Sequence, residues 1–492
     1  MDDKKNYLRR ESSRLMVFSS LLFVFLFLTA NLIVYFKCGE KNQNKVMLIF
    51  SLVFYAWGGP KYLVLLVGET FVSWFTAKKM AEDREQYGSD ASVKKYLVIE
   101  CVVLLGLLCI FKYLGFILGN VHALTGFPKS VPQIVLPIGI SFYTFQLISY
   151  VVDVYWGKTK AQPVFWKLLL YSSLFHQCIA GPIVRYQTVA DEIDHRKIKM
   201  SDVYTGVRMF SLGLAKKAIL ANSCAAAADS LLPAGVENLK MQATCGMWLG
   251  MIFYMLQIYL DFSAYSDMAI GMGRMIGFHY DKNFNYPYIA GSVQDFWRRW
   301  HISLSTFFRD YVYIPLGGNR VSTGKWVRNM AVVWFLTGLW HGASWNYIFW
   351  GLWYLLFLLL EKFVIKDKMP KAVGHVYTLM VVLFGWVIFK FESLKELGVV
   401  FGGMFGIGAN GFTSMNVHTV FLKYIFFLIF AIVACTPLYN NVRKKLFDVG
   451  RENDTVFMVA NVLDMITPAL MLILSTLALV GASYNPFLYF QF

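Results

Sequence analysis

Apolar runs without a single Asp, Glu, Lys or Arg recur along the whole chain. Met16–Phe36, Val131–Val152, Met241–Leu260, Ala372–Phe389, Tyr424–Val442 and Met465–Phe492 are of this kind. Asn329–Leu360 is longer and accommodates two crossings, with Gly342 near the break. A membrane-spanning helix needs about 20 apolar residues. Shorter or interrupted runs at Val46–Gly59, Tyr62–Ala77, Tyr96–Leu118, Leu168–Val184 and Leu397–Leu422 predict further crossings. Hydropathy therefore predicts an all-α polytopic membrane protein with roughly ten to thirteen transmembrane helices. Backbone polar groups in lipid must bond within their own segment. The runs are continuous rather than alternating, which argues against a β-barrel.

Three polar stretches punctuate this pattern: Lys78–Lys95, Arg185–Asp202 and Asp281–Lys325. The first reads as a solvated loop with one helical turn. The third contains a helix start, because Ser292-Val-Gln-Asp295 places a serine at the N-cap and an acid three residues on. A helix is predicted through Phe296–Arg309, ending before Pro315. Trp297, His301 and Ser305 would then share one face at i, i+4 spacing. Such a helix is too polar to cross lipid alone and too aromatic to float in water, so it is expected inside the bundle or at its interface.

Composition supports the membrane reading. Of 492 residues, 57% are hydrophobic, 17% aromatic and 15% charged, against about 25% charged in a soluble domain. One integral membrane domain is expected over residues 1–492, with residues 1–15 as a polar N-terminal extension. That extension is basic and no small-residue cleavage site follows, so the first apolar run is read as an uncleaved helix with residues 1–15 in the cytoplasm. The net charge of +16 fits cytoplasmic loops facing anionic lipid, or in part a phosphate-bearing ligand. Nucleic-acid binding is not expected, since no basic soluble domain exists to carry it. The seven cysteines are scattered with no CxxC pair, so neither a disulfide framework nor a zinc or other metal site is suggested.

Chemistry is sought first among the eight histidines. His341 lies deep in the longest uncharged run, between Trp340 and Trp345. An ionisable group at membrane depth is costly, and a neutral imidazole is a competent general base. The alternative is a core histidine bonded to a carbonyl. His301, in WRRWHISLS, is open to the same two readings. Arg298, Arg299, Arg309 and Arg320 are candidates to clamp phosphate or carboxylate with a planar fork, or else they snorkel to the interface. Asp261 and Asp267 are expected to pair with these arginines. The run Gly271-Met-Gly273-Arg-Met-Ile-Gly277 lacks dinucleotide spacing and is read as close helix packing.

Seven segments taken together resemble the membrane-bound O-acyltransferase family, nearest its polysaccharide-modifying bacterial branch, typified by the alginate O-acetylation membrane subunit. They are LPIGISFYTFQLISYVVDVYWGK (136–158), QCIAGPIVRY (177–186), GLAKKAILAN (213–222), IYLDFSAYSDMAIGMGRMIGFHYDKNFNYPY (258–288), DFWRRWHISLSTFFRDYVYIPLGGNR (295–320), LTGLWHGASWNYIFWG (336–351) and SYNPFLYF (483–490). The resemblance implies a helical bundle with a cavity through the membrane and a catalytic core within residues 131–351. It also implies a place in the bacterial cell membrane. The family's catalytic Trp-His-Gly histidine matches His341, and its Arg-Trp-His histidine matches His301. Trp297, Trp340, Ser305, Arg298, Arg299 and Arg309 are candidates to bind the donor or shape the cavity. The implied donor is a cytosolic thioester, acetyl-CoA in acetylating members. The implied acceptor is an extracytoplasmic polysaccharide, reached with a partner acetyltransferase outside the cytoplasm. Transfer of D-alanine from a carrier protein to teichoic acid is a neighbouring possibility. The IPLGGNR ending favours acetyl transfer. A transporter or channel would also explain the helices, but no repeated half with matching broken helices is visible.

Overall fold

The computed structural model describes residues 16–88, 90–128, 130–132, 134–178, 181–365 and 368–481, and the regular elements among them are helical. The expected extension over residues 1–15 and the SYNPFLYF segment lie outside the described residues. The chain divides into two compact units. One comprises Met1–Val207 and Met268–Asp281, the other Arg208–Asp267 and Lys282–Phe492.

The first unit contains α1 (Leu22–Lys37), α2 (Glu40–Trp57), α3 (Pro60–Tyr87), α4 (Val93–Thr125), α5 (Ile140–Tyr155), α6 (Phe165–Ser173), α7 (Tyr186–His195) and the start of α8 (Met200–Ala215). Pro60 occupies the first turn of α3, where its missing N–H costs nothing. The expected loop at Lys78–Lys95 is instead largely helical. α3 runs on to Tyr87 because Lys78 and Lys79 both reach Glu82 one turn away, at 3.8 and 2.7 Å. Polar groups inside this unit face one another. Glu69 accepts from Thr144 Oγ1 at 2.8 Å, and Glu100 accepts from Ser73 and Thr76 hydroxyls. This tie between α3, α4 and α5 explains why their apolar runs read as interrupted. The glycine-rich run is a packing surface, as expected. A methyl group at Gly206 of α8 would lie 2.5 Å from the Gly271 carbonyl oxygen, and one at Gly273 would lie 2.5 Å from the Tyr280 ring.

The second unit takes α8 through a π-helical turn, Lys216–Ala221, into α9 (Asn222–Leu231). It continues with α10 (Thr244–Met275), α11 (Val293–Arg299), α12 (Ile302–Phe308), α13 (Thr323–His341), α14 (Trp345–Ile365) and α15 (Lys371–Lys390). α16 (Leu394–Met404), α17 (Met415–Ala434), α18 (Leu438–Gly450) and α19 (Asp454–Val480) complete it. α10 belongs to this unit as far as Asp267. Asp261 and Asp267 meet lysines where arginines are expected. Asp261 meets Lys217 at 2.8 Å and Asp267 meets Lys216 at 2.5 Å. The π-helical turn presents two lysines to the facing helix, and they reach the carboxylates first.

Six helices among the described residues are long and apolar enough to cross a membrane: α4, α10, α14, α15, α17 and α19. The rest of the ten to thirteen crossings read from hydropathy falls on helices that are shorter or carry buried polar groups, such as α3 with Glu69 and the sixteen-residue α5. The most apolar window of α10 is 72% buried and that of α15 is 56% buried, against 17–22% for the other four. These two are therefore internal helices, and the candidate site is built against them.

Candidate active site

His341 is the last residue of α13, at the turn of the α13–α14 hairpin. The predicted break at Gly342 is present. A methyl group at Gly342 would overlap the Tyr347 ring, and one at Gly338 would overlap the Tyr347 carbonyl. Only glycine allows the two helices to approach this closely. The close turn folds Trp350 back onto the imidazole, with ring centroids 4.8 Å apart at 80°. Trp340 at 5.0 Å and Phe389 of α15 at 5.3 Å also meet it edge-on. His341 is 6% exposed. Asn346 fixes the third wall, donating to the carbonyls of Phe389 at 3.0 Å and Ile388 at 3.4 Å.

His301 sits where the sequence predicts an unbroken helix and the structure breaks it. Ser292 caps α11 as expected, its hydroxyl accepting from the Asp295 N–H at 3.0 Å. Glu361 reinforces that start by accepting from the N–H groups of Val293 and Gln294. α11 nevertheless stops at Arg299, Trp300 is extended, and His301 takes left-handed backbone angles, φ 42° and ψ 56°. Trp297, His301 and Ser305 thus do not form one helical face. The loop residue Asn283 holds the break. Its carbonyl accepts from Ile302 N–H at 2.9 Å, and its Oδ1 accepts from Ser303 N–H at 3.1 Å and Ser303 hydroxyl at 2.9 Å. Trp300 anchors the other side by packing on Trp386 and Phe284, at 4.9 and 5.1 Å.

The His301 imidazole lies edge-on to Phe262 of α10 at 4.8 Å and meets Trp340 at 5.6 Å. Trp340 therefore contacts both histidines. His301 is 1% exposed, and burial pulls its pKa down to about 3, so the ring is neutral at ordinary pH. Its Nδ1 stands 3.2 Å from Asn283 Oδ1, and its Nε2 is buried with no hydrogen-bond partner among the described residues.

The other expected residues fall into two groups. Trp297 joins the aromatic nest through Trp350 at 5.4 Å, and also packs on Trp334 and Tyr354. Ser305 Oγ lies 3.5 Å from the Trp297 carbonyl. The arginines point elsewhere. Arg299 pairs with Asp295 and Arg309 with Asp310, while Arg298 is exposed. Among the described residues no group of three or more His, Cys, Asp or Glu side chains is placed to hold a metal ion.

A family model described as MBOAT, membrane-bound O-acyltransferase, matches residues 159–397. Across 97% of its length the chain is 36% identical to a protein named probable alginate O-acetylase AlgI from Pseudomonas putida, all of which is covered. The chain belongs to the membrane-bound O-acyltransferase family. As a family member it is an integral membrane acyltransferase. A peptidoglycan O-acetyltransferase of Helicobacter pylori is 30% identical over 97% of the chain and 98% of that protein. A teichoic acid D-alanyltransferase of Bacillus subtilis is 31% identical over only 51% of the chain and 68% of that protein.

Within this O-acyltransferase, four supporting residues escape a reading of the sequence. Trp350, Phe389 and Asn346 wall the His341 ring, and Asn283 clamps the His301 loop. The one available signal was the polar loop DKNFNYP, set just ahead of an aromatic helix and carrying two asparagines.

Proposed function

We propose that this chain moves an acyl group, acetyl in preference to D-alanyl, from a cytosolic thioester to hydroxyls of an extracytoplasmic polysaccharide. The observation that carries this reading is a pair of buried histidines sharing one tryptophan inside a membrane acyltransferase. Similarity along nearly the whole chain to proteins named O-acetylases supports acetyl as the cargo, since the D-alanyltransferase match spans about half of it. Those names support a polysaccharide as the acceptor, and the family resemblance supports acetyl-CoA as the donor.

A thioester carbonyl is already activated, so the protein needs a base at the attacking hydroxyl and donors at the developing oxyanion. In this reading His341 takes the hydroxyl proton as the oxygen attacks. The C–S bond breaks as the tetrahedral intermediate collapses, and the thiolate leaves with a proton. His301 orients substrate beside it. Trp297, Trp340 and Trp350 exclude water, which would otherwise hydrolyse the thioester. Arg299 and Arg309 hold the local shape through Asp295 and Asp310, and the exposed Arg298 serves donor phosphates. A cavity reaching the nest from the membrane faces delivers the reactants, and an extracytoplasmic acetyltransferase completes the transfer.

The test is acyl transfer by membranes containing the protein, with labelled acetyl-CoA and isolated cell-surface glycan. A folded His341→Ala variant should lose about 10²-fold or more in rate, the usual contribution of a general base. Normal ester formation by that variant would refute the assignment.

A further inference from the structure

The His301 loop shows how one side chain selects the chemistry of another. Asn283 Oδ1 faces one donor of fixed direction, the Ser303 N–H at 3.1 Å, and the Ser303 hydroxyl at 2.9 Å, which is nearer to it than to His301 Nδ1 at 3.5 Å. A backbone N–H can only donate, so the atom it meets is the amide oxygen and not the NH₂. That same oxygen lies 3.2 Å from His301 Nδ1. An oxygen acceptor requires a proton on Nδ1. In a neutral imidazole the other nitrogen then carries the lone pair. Nε2 is the buried atom that meets no hydrogen-bond partner among the described residues, in the ring flanked by Phe262 and Trp340.

We infer that Asn283 is a positioning residue that locks His301 in the Nδ1–H tautomer, so that Nε2 meets the substrate as a hydrogen-bond acceptor. The inference rests on the acyl-transfer reading above and sharpens it. An Nε2 lone pair cannot hold an oxyanion, because two electron-rich atoms repel. It can accept from an O–H or N–H of the donor or acceptor and so align that group with the thioester carbonyl. The left-handed backbone at His301 serves this end, since it turns Nδ1 toward the Asn283 side chain that also secures Ser303. Strain of this kind persists only where the surroundings over-determine it.

The experiment is nitrogen NMR of the full-length protein in lipid bilayers, labelled with ¹⁵N-histidine. Signals lost in His301→Gln identify the residue. The expected result is a protonated Nδ1 and a bare Nε2 in the wild type, and a mixture of tautomers in Asn283→Ala. A wild-type ring protonated at Nε2 overturns the inference, as does an Asn283→Ala protein whose tautomer is unchanged. Kinetics supply the second arm. Asn283→Ala should lower kcat by up to about 10²-fold with KM little changed, as for a misaligned reacting group. The double variant with His301→Ala should be no slower than His301→Ala alone. Additive losses would mean that Asn283 acts independently of the ring, and would overturn the assignment. Asn283→Asp, which keeps the accepting oxygen, should recover the Nδ1–H tautomer. The NMR arm requires no catalysis, so failure of the acyl-transfer reading leaves its outcome readable.

Discussion

At position 301 an imidazole occupies backbone space usually left to glycine, and burial keeps it neutral. That neutrality has a consequence for stability. In the unfolded chain a histidine titrates near 6.5, whereas the folded His301 resists protonation down to about 3. Between those values the unfolded state binds the extra proton. Stability from this group is therefore complete above pH 6.5 and is lost as pH falls through that window. His301→Gln does not titrate. Thermal unfolding in detergent from pH 7.5 to pH 5 should show a steeper loss for the wild type than for this variant. Equal slopes would mean that the ring is hydrated in the fold. His341 was legible in the residues alone, because an imidazole among tryptophans in an uncharged run is expensive, whereas His301, beside two arginines, stood out through the family resemblance. The tautomer was not legible, since it depends on Asn283, eighteen residues away and joined only by folding.

At the scale of elements, the α13–α14 hairpin is a motif explained only by contact. Asn329–Leu360 predicts two crossings with a break near Gly342, and the break is there. The sequence could not say that Gly338 faces a carbonyl while Gly324, in the same helix, faces open space. Gly338→Ala is expected to cost about 1–3 kcal/mol through overpacking. It should reduce transfer further by lifting Trp350 from His341. Gly324→Ala should instead gain up to about 1 kcal/mol, the difference in helix propensity. Thermal midpoints of the two variants in detergent, compared with their transfer rates, check both. The break at Trp300–His301 is the opposite case. The capping signal at Ser292 is present in the fold, yet local periodicity favours a continuous helix, and Asn283 with Trp300 overrides it.

Across the whole molecule, hydropathy counts a charge without knowing its partner. The Lys216–Ala221 turn carries two lysines and lies outside the apolar runs. The structure buries Lys217 against Asp261, with side chains 3% and 1% exposed. Removing one member of such a pair leaves a stranded charge and typically costs about 3–5 kcal/mol, while replacing both with apolar residues is often neutral. Asp261→Asn should therefore lower the thermal midpoint sharply, and Lys217→Met with Asp261→Leu should recover most of it. Recovery failing in the double variant, with correct membrane insertion, would assign the pair a role beyond pairing.

By itself the sequence determined that the chain is helical and membrane-embedded, and which two imidazoles to suspect, because runs of apolar residues and isolated polar ones are properties of the chain read in order. It also carried the family likeness in seven ordered segments. The tertiary structure alone decided which partner each charge takes, where the aromatic helix breaks, and that Trp340 joins His301 to His341. Those are contacts between residues distant in sequence. Their energies depend on distance and burial, which exist only once the helices have packed.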